Sequence, residues 1–475
     1  MIFNSINYLV FLPLVVLLYY GLPHRMRWAV LLAASYFFYM CWNAQYAILL
    51  AVSTVVPYLG ALVIARSTNT RNRRATLVAS LGTNLGLLVA FKYWEFFAES
   101  ADWLGARLGV SFSLPTLDVL LPVGISFYTF QTISYTVDVY CRRIDAEKHL
   151  GRFALYVSFF PQLVAGPIER ASRLLPQFYC QQHFDFTRIC LGCQLILWGL
   201  FKKVVIADRL AIYVDSVYNS VGYHECVAYL LATYAFAFQI YCDFSGYSDI
   251  AIGSAALLGI RLVANFRQPY FATNLRDFWR RWHISLSTWL RDYVYIPIGG
   301  SRRGKAWTVV ALMITMLLGG LWHGASWTYV IWGGLHGLLL VGSRATLDAR
   351  NLFWDRLHLP HWLRDTVRIA LTFHLVCLCW VFFRAKTLAD AMTILGSFFQ
   401  RSWALPGVNP NVLVSGLLGV LVLAAVQILQ LQRGSCRRCV ARLPLPVRWS
   451  VWYGLIFAIV LLGVQQGSQF IYFQF

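Results

Sequence analysis

Uncharged apolar runs about as long as a bilayer is thick recur from one end of this chain to the other. The clearest is VLVSGLLGVLVLAAVQILQ, residues 412–430, which carries no charged side chain. A helix needs about 20 apolar residues to cross a hydrocarbon core, and such runs fix the chain's class before any motif is read. Composition agrees: 59% of the 475 residues are hydrophobic and 13% are charged, where about a quarter charged is usual for a soluble domain. The expected fold class is an all-α polytopic membrane protein, with one integral-membrane domain over 1–475 and short connections.

The formal charge of +20 would suggest nucleic acid in a soluble protein. Here the basic residues flank apolar spans, as the positive-inside rule requires, so the partner they imply is the lipid bilayer and no nucleic acid is expected. The opening MIFNSINYLVFLPLVVLLYYGLPHRMR has no basic stretch before its apolar run and no small-x-small cleavage site, so it reads as a retained first span. His24, Arg25 and Arg27 then mark a cytoplasmic loop. Spans near 28–42 and 43–65 lead back inside to Arg66, Arg71, Arg73 and Arg74. A span near 77–94 reaches an outer loop with Glu95, Glu99, Asp102 and Asp118, and one near 119–141 returns to Arg142 and Arg143. Pro, Gly and charge interrupt 150–270, which predicts re-entrant pieces, tolerated where protein shields the backbone. The 412–430 span precedes Arg433, Arg437, Arg438 and Arg442. A last span near 450–464 then leaves an aromatic tail, 465–475, outside the cytoplasm. The eleven cysteines include CxxC pairs at Cys190/Cys193 and Cys436/Cys439. Neither pair has histidine or carboxylate support, so they read as apolar fillers and a loop dithiol.

Three stretches can carry chemistry. In 276–305, RDFWRRWHISLSTWLRDYVYIPIGGSRRGK, a helical wheel puts Trp279, Trp282, Leu286, Trp289 and Tyr293 on one face. Arg280, Arg281, Arg291, Asp277 and Asp292 fall on the other, and His283 lies at the border. That pattern predicts an amphipathic basic helix at the cytoplasmic interface. Its arginines, with Arg302, Arg303 and Lys305, suit phosphate oxygens. In GGLWHGASWTYVIWGGLHG, 319–337, the spacings Gly320/Gly324 and Gly333/Gly337 allow close helix packing around His323. His336 is 13 residues on, about 220° round a straight helix, so the two imidazoles are not expected at one site. With no HxxxH or HExxH, no metal is expected. In AFQIYCDFSGYSDIAIG, 235–253, Asp243 and Asp249 flank Ser245 and Tyr247. Carboxylates in a membrane need partners: a histidine to orient, an arginine to hold, or a broken helix to stabilise.

Together DFWRRWHISLSTWLRDYVYIPIGG, GGLWHGASWTYVIWGGLHG, YCDFSGYSDIAIG, PVGISFYTFQTISY, FPQLVAGPIER and the terminal FIYFQF resemble the membrane-bound O-acyltransferase (MBOAT) family over nearly the whole chain. The similarity is to its bacterial branch acting on alginate and peptidoglycan. The resemblance implies about eleven transmembrane helices in a ring around a central tunnel, with re-entrant segments. It implies His323 as the catalytic residue and His283 as the second characteristic histidine. Asp243, Ser245, Tyr247, Trp322 and Trp282 would line or support the tunnel. The implied donor is acetyl-CoA, and no permanently bound cofactor is expected. The implied partner is a separate extracytoplasmic SGNH-type protein that meets the polysaccharide, in a bacterial inner membrane.

The residues suit that chemistry. A thioester is already activated, so what is needed is a base for an attacking hydroxyl, and histidine titrates near neutral pH. Tyr472 in FIYFQF is either an acyl relay or an aromatic interface anchor. The competing expectations are a D-alanyl or other acyltransferase fed by a carrier protein, a transporter, and a scaffold that recruits the partner.

Overall fold

The computed structural model describes residues 1–110, 114–115, 117, 120–164, 166–400, 410–434, 436–464 and 470–471. Among these every regular element is a helix, with no strand. Among the described residues eight helices are long and apolar enough to cross a membrane, or nine if the pair Trp327–Ala345 and Leu347–Arg356, bent by 60°, forms one span. Ile6–Gly21 and Leu388–Ser397 are shorter apolar helices, so the total is consistent with the expected number. The protein is an all-α polytopic membrane protein, built as two compact units: Met1–Gln194 with Ala251–Val263, and Leu195–Ile250 with Ala264–Phe475.

The connections of the first unit are shorter than the charge pattern suggests. Arg71, Arg73 and Arg74 lie in the first turns of the Thr70–Leu88 helix, not in a loop. The Asn69 side chain caps that helix by accepting the Arg71 N–H at 2.8 Å, which draws the arginines into helix. Glu95, Glu99 and Asp102, expected in an outer loop, lie on Trp94–Leu108. A π-helical turn, Val89–Tyr93, joins it to the preceding helix. The sequence there is rich in good helix formers, and Gly109 at φ +72° ends it in the left-handed conformation that glycine adopts cheaply. Asp118 lies outside the described residues.

The interrupted middle of this unit is a run of short buried helices, Leu150–Ser158, Phe160–Leu163 and Ala171–Leu174. Irregular backbone within such a run must find polar partners inside the protein. Glu169 supplies one: fully buried, it accepts the Val263 N–H on one carboxylate oxygen, while its backbone carbonyl accepts the Tyr156 hydroxyl at 3.1 Å. Burial raises the Glu169 pKa from 4.5 to about 7, against the opposing pull of the Val263 N–H and of Arg173 and Arg170.

A carboxyl whose folded pKa is raised binds its proton more tightly folded than unfolded. Its stabilising effect is therefore complete below about pH 4.5 and declines until the pH passes about 7. Glu169→Gln keeps the acceptor and removes the ionisation. Thermal unfolding in detergent is expected to show the variant gaining on the wild type between pH 5 and pH 8; parallel curves would refute this account of Glu169.

Candidate active site

The second unit gathers the histidines, and it does so by breaking helices. The single amphipathic helix expected over 276–305 does not form. Leu275–Arg281 ends, Trp282 and His283 leave helical geometry, and Ile284–Leu290 begins anew before a π-helical turn at Arg291–Tyr295. His283 caps the second piece at φ +42°, a left-handed conformation costing about 1 kcal/mol for a residue other than glycine. Asn265 holds the break: its carbonyl accepts the Ile284 N–H at 2.9 Å, its side-chain oxygen accepts the Ser285 N–H at 3.3 Å, and its amide donates to Ser248 at 3.3 Å. A wheel drawn through an unbroken helix therefore misplaces His283, which is not at a half-exposed border but fully buried. Desolvation pushes its pKa down to about 3, so the imidazole is neutral.

His323 ends the Lys305–His323 helix, and the chain turns at Gly324–Ser326 into Trp327–Ala345. The two helices pack closely because glycines face each other. A Cβ on Gly320 would strike the Tyr329 carbonyl, and one on Gly333 the Met316 carbonyl. The turn also brings His336 to the same tryptophan as His323. His323 and His336 both lie against the Trp332 ring, at 5.0 and 4.9 Å between centroids.

The buried His283 ring is 6.4 Å from that of His323. Trp322 lies 5.6 Å from His283, Phe244 packs edge-on to His283 at 4.6 Å, and Phe383 approaches His323 at 5.2 Å. Trp282 stands behind, 5.1 Å from Trp380. Two imidazoles thus share a buried, aromatic-walled site.

The acidic stretch 235–253 lies on one continuous helix, Cys226–Leu257, not on a broken one. Its carboxylates hold neither histidine nor arginine but lysines that the sequence reading missed. Lys203 is wholly buried, 2.7 Å from Asp243 and 2.8 Å from Asp208. Lys202 bonds Asp249 and Ser245 at 2.8 and 2.9 Å. Both lysines sit on a π-helical turn, Phe201–Ala207. The signal was present, since two adjacent lysines in the apolar run LILWGLFKKVVIA cannot face lipid unpaired.

Part of the aromatic tail reaches the same place. The Ile471 N–H donates to Asp243 at 2.8 Å, and Phe470 lies 4.1 Å from the Tyr247 ring. Tyr472 lies outside the described residues. The basic candidates Arg280, Arg291, Arg302, Arg303 and Lys305 are exposed and Arg281 is half-buried. Arg281 bonds Asp277 at 2.9 Å and Arg291 bonds Asp292 at 2.8 Å. Of the CxxC pairs, Cys193 is exposed and the other three cysteines are partly so.

Helix hairpin, neighbouring imidazoles and an internal charge cluster are thus all features of the second unit. The MBOAT, membrane-bound O-acyltransferase, family model matches residues 146–363. The chain is 41% identical over 428 residues to the probable alginate O-acetylase AlgI of Pseudomonas putida, covering 89% of this chain and 86% of that one. It is 38% identical over 395 residues to the peptidoglycan O-acetyltransferase of Helicobacter pylori, covering 78% and 72%. Against the teichoic acid D-alanyltransferase of Bacillus subtilis it is 27% identical over 290 residues, covering 57% and 71%. The chain belongs to the membrane-bound O-acyltransferase family and is an O-acyltransferase.

Lys203→Met would leave Asp208 and Asp243 buried without their cation. Stranding a buried charge costs about 3–5 kcal/mol, so the variant is expected to lose most of its folded yield in size-exclusion chromatography. Wild-type yield and melting temperature would show that the cluster is not a structural necessity.

Proposed function

We propose that this chain acetylates a cell-surface polysaccharide of the alginate or peptidoglycan kind, from the bacterial inner membrane, using cytoplasmic acetyl-CoA. The observation that carries this reading is the pair of buried imidazoles, 6.4 Å apart, in a chain 41% and 38% identical to relatives named for O-acetylation. The weaker and shorter match to teichoic acid D-alanyltransferases makes D-alanyl transfer from a carrier protein the second reading. A transporter or scaffold gives no use for a desolvated histidine pair.

In the proposed reaction the acetyl thioester lies between His283 and His323, with the CoA phosphates held by the guanidinium forks of Arg280, Arg281, Arg291, Arg302 and Arg303, which match phosphate oxygens, and by the Lys305 ammonium as a point charge. A hydroxyl attacks the acetyl carbonyl. The new C–O bond forms as the C–S bond breaks, His323 takes the hydroxyl proton, and the departing CoA thiolate receives it back. The imidazole ends as it began, and no metal is required. His283, held neutral by burial, positions the carbonyl. Trp322, Trp282, Tyr247 and Ser245 support the wall, where excluded water cannot hydrolyse the thioester.

The first acceptor is the Tyr472 hydroxyl. Its acetyl ester then passes to a serine of a separate extracytoplasmic SGNH-type partner, which delivers it to the polymer. The short aromatic tail carries this step because Phe470 and Ile471 pack against the helix bearing Asp243.

With purified protein in liposomes and radiolabelled acetyl-CoA, label is expected on the chain or on added partner. His323→Ala is expected to reduce it by about 10²–10⁴, the range of general-base help; equal labelling would make His323 structural. Tyr472→Phe keeps the ring and is expected to abolish label on the chain. Full transfer in that variant would eliminate the relay.

A further inference from the structure

The break that carries His283 is held by a segment well upstream of it. Residues 264–267 run alongside as a strap. On one side of Trp282 and His283 the Arg267 N–H donates to the Arg281 carbonyl at 3.0 Å; on the other the Ile284 N–H donates to the Asn265 carbonyl at 2.9 Å. The Asn265 side-chain oxygen then takes the next N–H, that of Ser285, at 3.3 Å. The first N–H groups of a helix have no partner within it, and the residue just before the helix ordinarily supplies one. Here the side-chain cap comes from 20 residues upstream. The extended Trp282 and the left-handed His283, at φ +42°, are thereby fixed against a segment outside their own two helices.

Asn265 is itself held. It is 1% exposed, and its amide donates to the Ser248 hydroxyl at 3.3 Å. An asparagine side chain can accept and donate at once, so one residue ties Ser285 to Ser248. Ser248 and Phe244 stand one turn apart on Cys226–Leu257, and residues at that spacing share a helix face. Phe244 is the ring that meets His283 edge-on at 4.6 Å. The next residue of the strap, Phe266, lies 5.0 Å from Phe244 and 5.1 Å from Trp282. Strap, helix face and His283 form one packed group, which presents the imidazole 6.4 Å from that of His323.

We propose that Asn265 is a positioning residue for acyl transfer. By capping Ile284–Leu290 from outside, it keeps the His283 backbone in its left-handed turn and sets where the imidazole stands against His323. The inference rests on the role given to His283 above. Asn265 touches no reacting atom. Alanine there would lose both side-chain bonds, and a left-handed turn is unfavourable for any residue with a Cβ, so the turn is expected to relax.

Full-length protein in nanodiscs, labelled with nitrogen-15 at histidine, gives a resonance for the His283 imidazole that His283→Ala assigns. Asn265→Ala is expected to move that resonance, while those of His24 and His149, in the first unit, stay in place. Ser248→Ala, which leaves both bonds accepted by Asn265, is expected to move it less. Acetyl transfer per folded molecule, at saturating acetyl-CoA, is expected to fall about tenfold to a hundredfold in Asn265→Ala, the scale of a misplaced group at a reacting centre. On a His283→Ala background the same substitution is expected to cost nothing more, because both changes act through one imidazole.

An unmoved His283 resonance in Asn265→Ala overturns the positioning. A moved resonance with full transfer, or a further loss on the His283→Ala background, overturns its part in the reaction. Should Asn265→Ala not fold, Ser248→Ala decides by the same readings. The role of His283 fails separately, by full transfer in His283→Ala while Asn265→Ala still moves the resonance.

Discussion

A buried ammonium group with no water to solvate it must be met by carboxylates, and in the second unit much of the local structure follows from that demand. Lys203 draws Asp208 and Asp243 together across two helices. Lys202 does the same for Asp249. The π-helical turn that carries both lysines inserts an extra residue into the helical repeat, a device often found where a side chain must be re-aimed. Such pairs add little net stability over apolar packing, but removing one member is costly.

The histidine site uses the same economy of water in the opposite sense. His283 and His323 are surrounded by rings, and His283 stays neutral because its charge would be desolvated. Reaching that state takes two breaks in helix, one at His283 with a left-handed backbone and one at Gly324. Asn265 supplies the hydrogen bonds that the first break releases. Glycines on facing helices allow the second to close without a void.

Much of the protein was legible as a string. Apolar runs gave a polytopic helical class, the glycine spacings in 319–337 predicted close helix packing, and His323 stood out as an imidazole among apolar neighbours, while the family resemblance pointed to His283. Other parts were hidden for identifiable reasons. A helical wheel assumes continuity, so it placed His283 at the border between two faces of one helix that in fact breaks there. The carboxylates of 235–253 were visible as needing partners, yet the partners lie some forty residues earlier in a run that looked like an ordinary span. Charged residues near 71–74 and 95–102 read as loops because polarity was weighed over capping and helix propensity.

What the sequence determined by itself was therefore the solvent: hydrophobic runs of bilayer length permit only helices that satisfy their own backbones. It also determined the chemical inventory, namely imidazoles, an aromatic tail and a cluster of basic residues. Only the tertiary structure decided which of these meet. Lys203 beside Asp243, Ile471 on the same carboxylate, and two histidines within one aromatic wall are contacts between residues tens to hundreds apart in the chain. Periodicity reports a residue's own helix face; it carries no information about which distant face is folded against it.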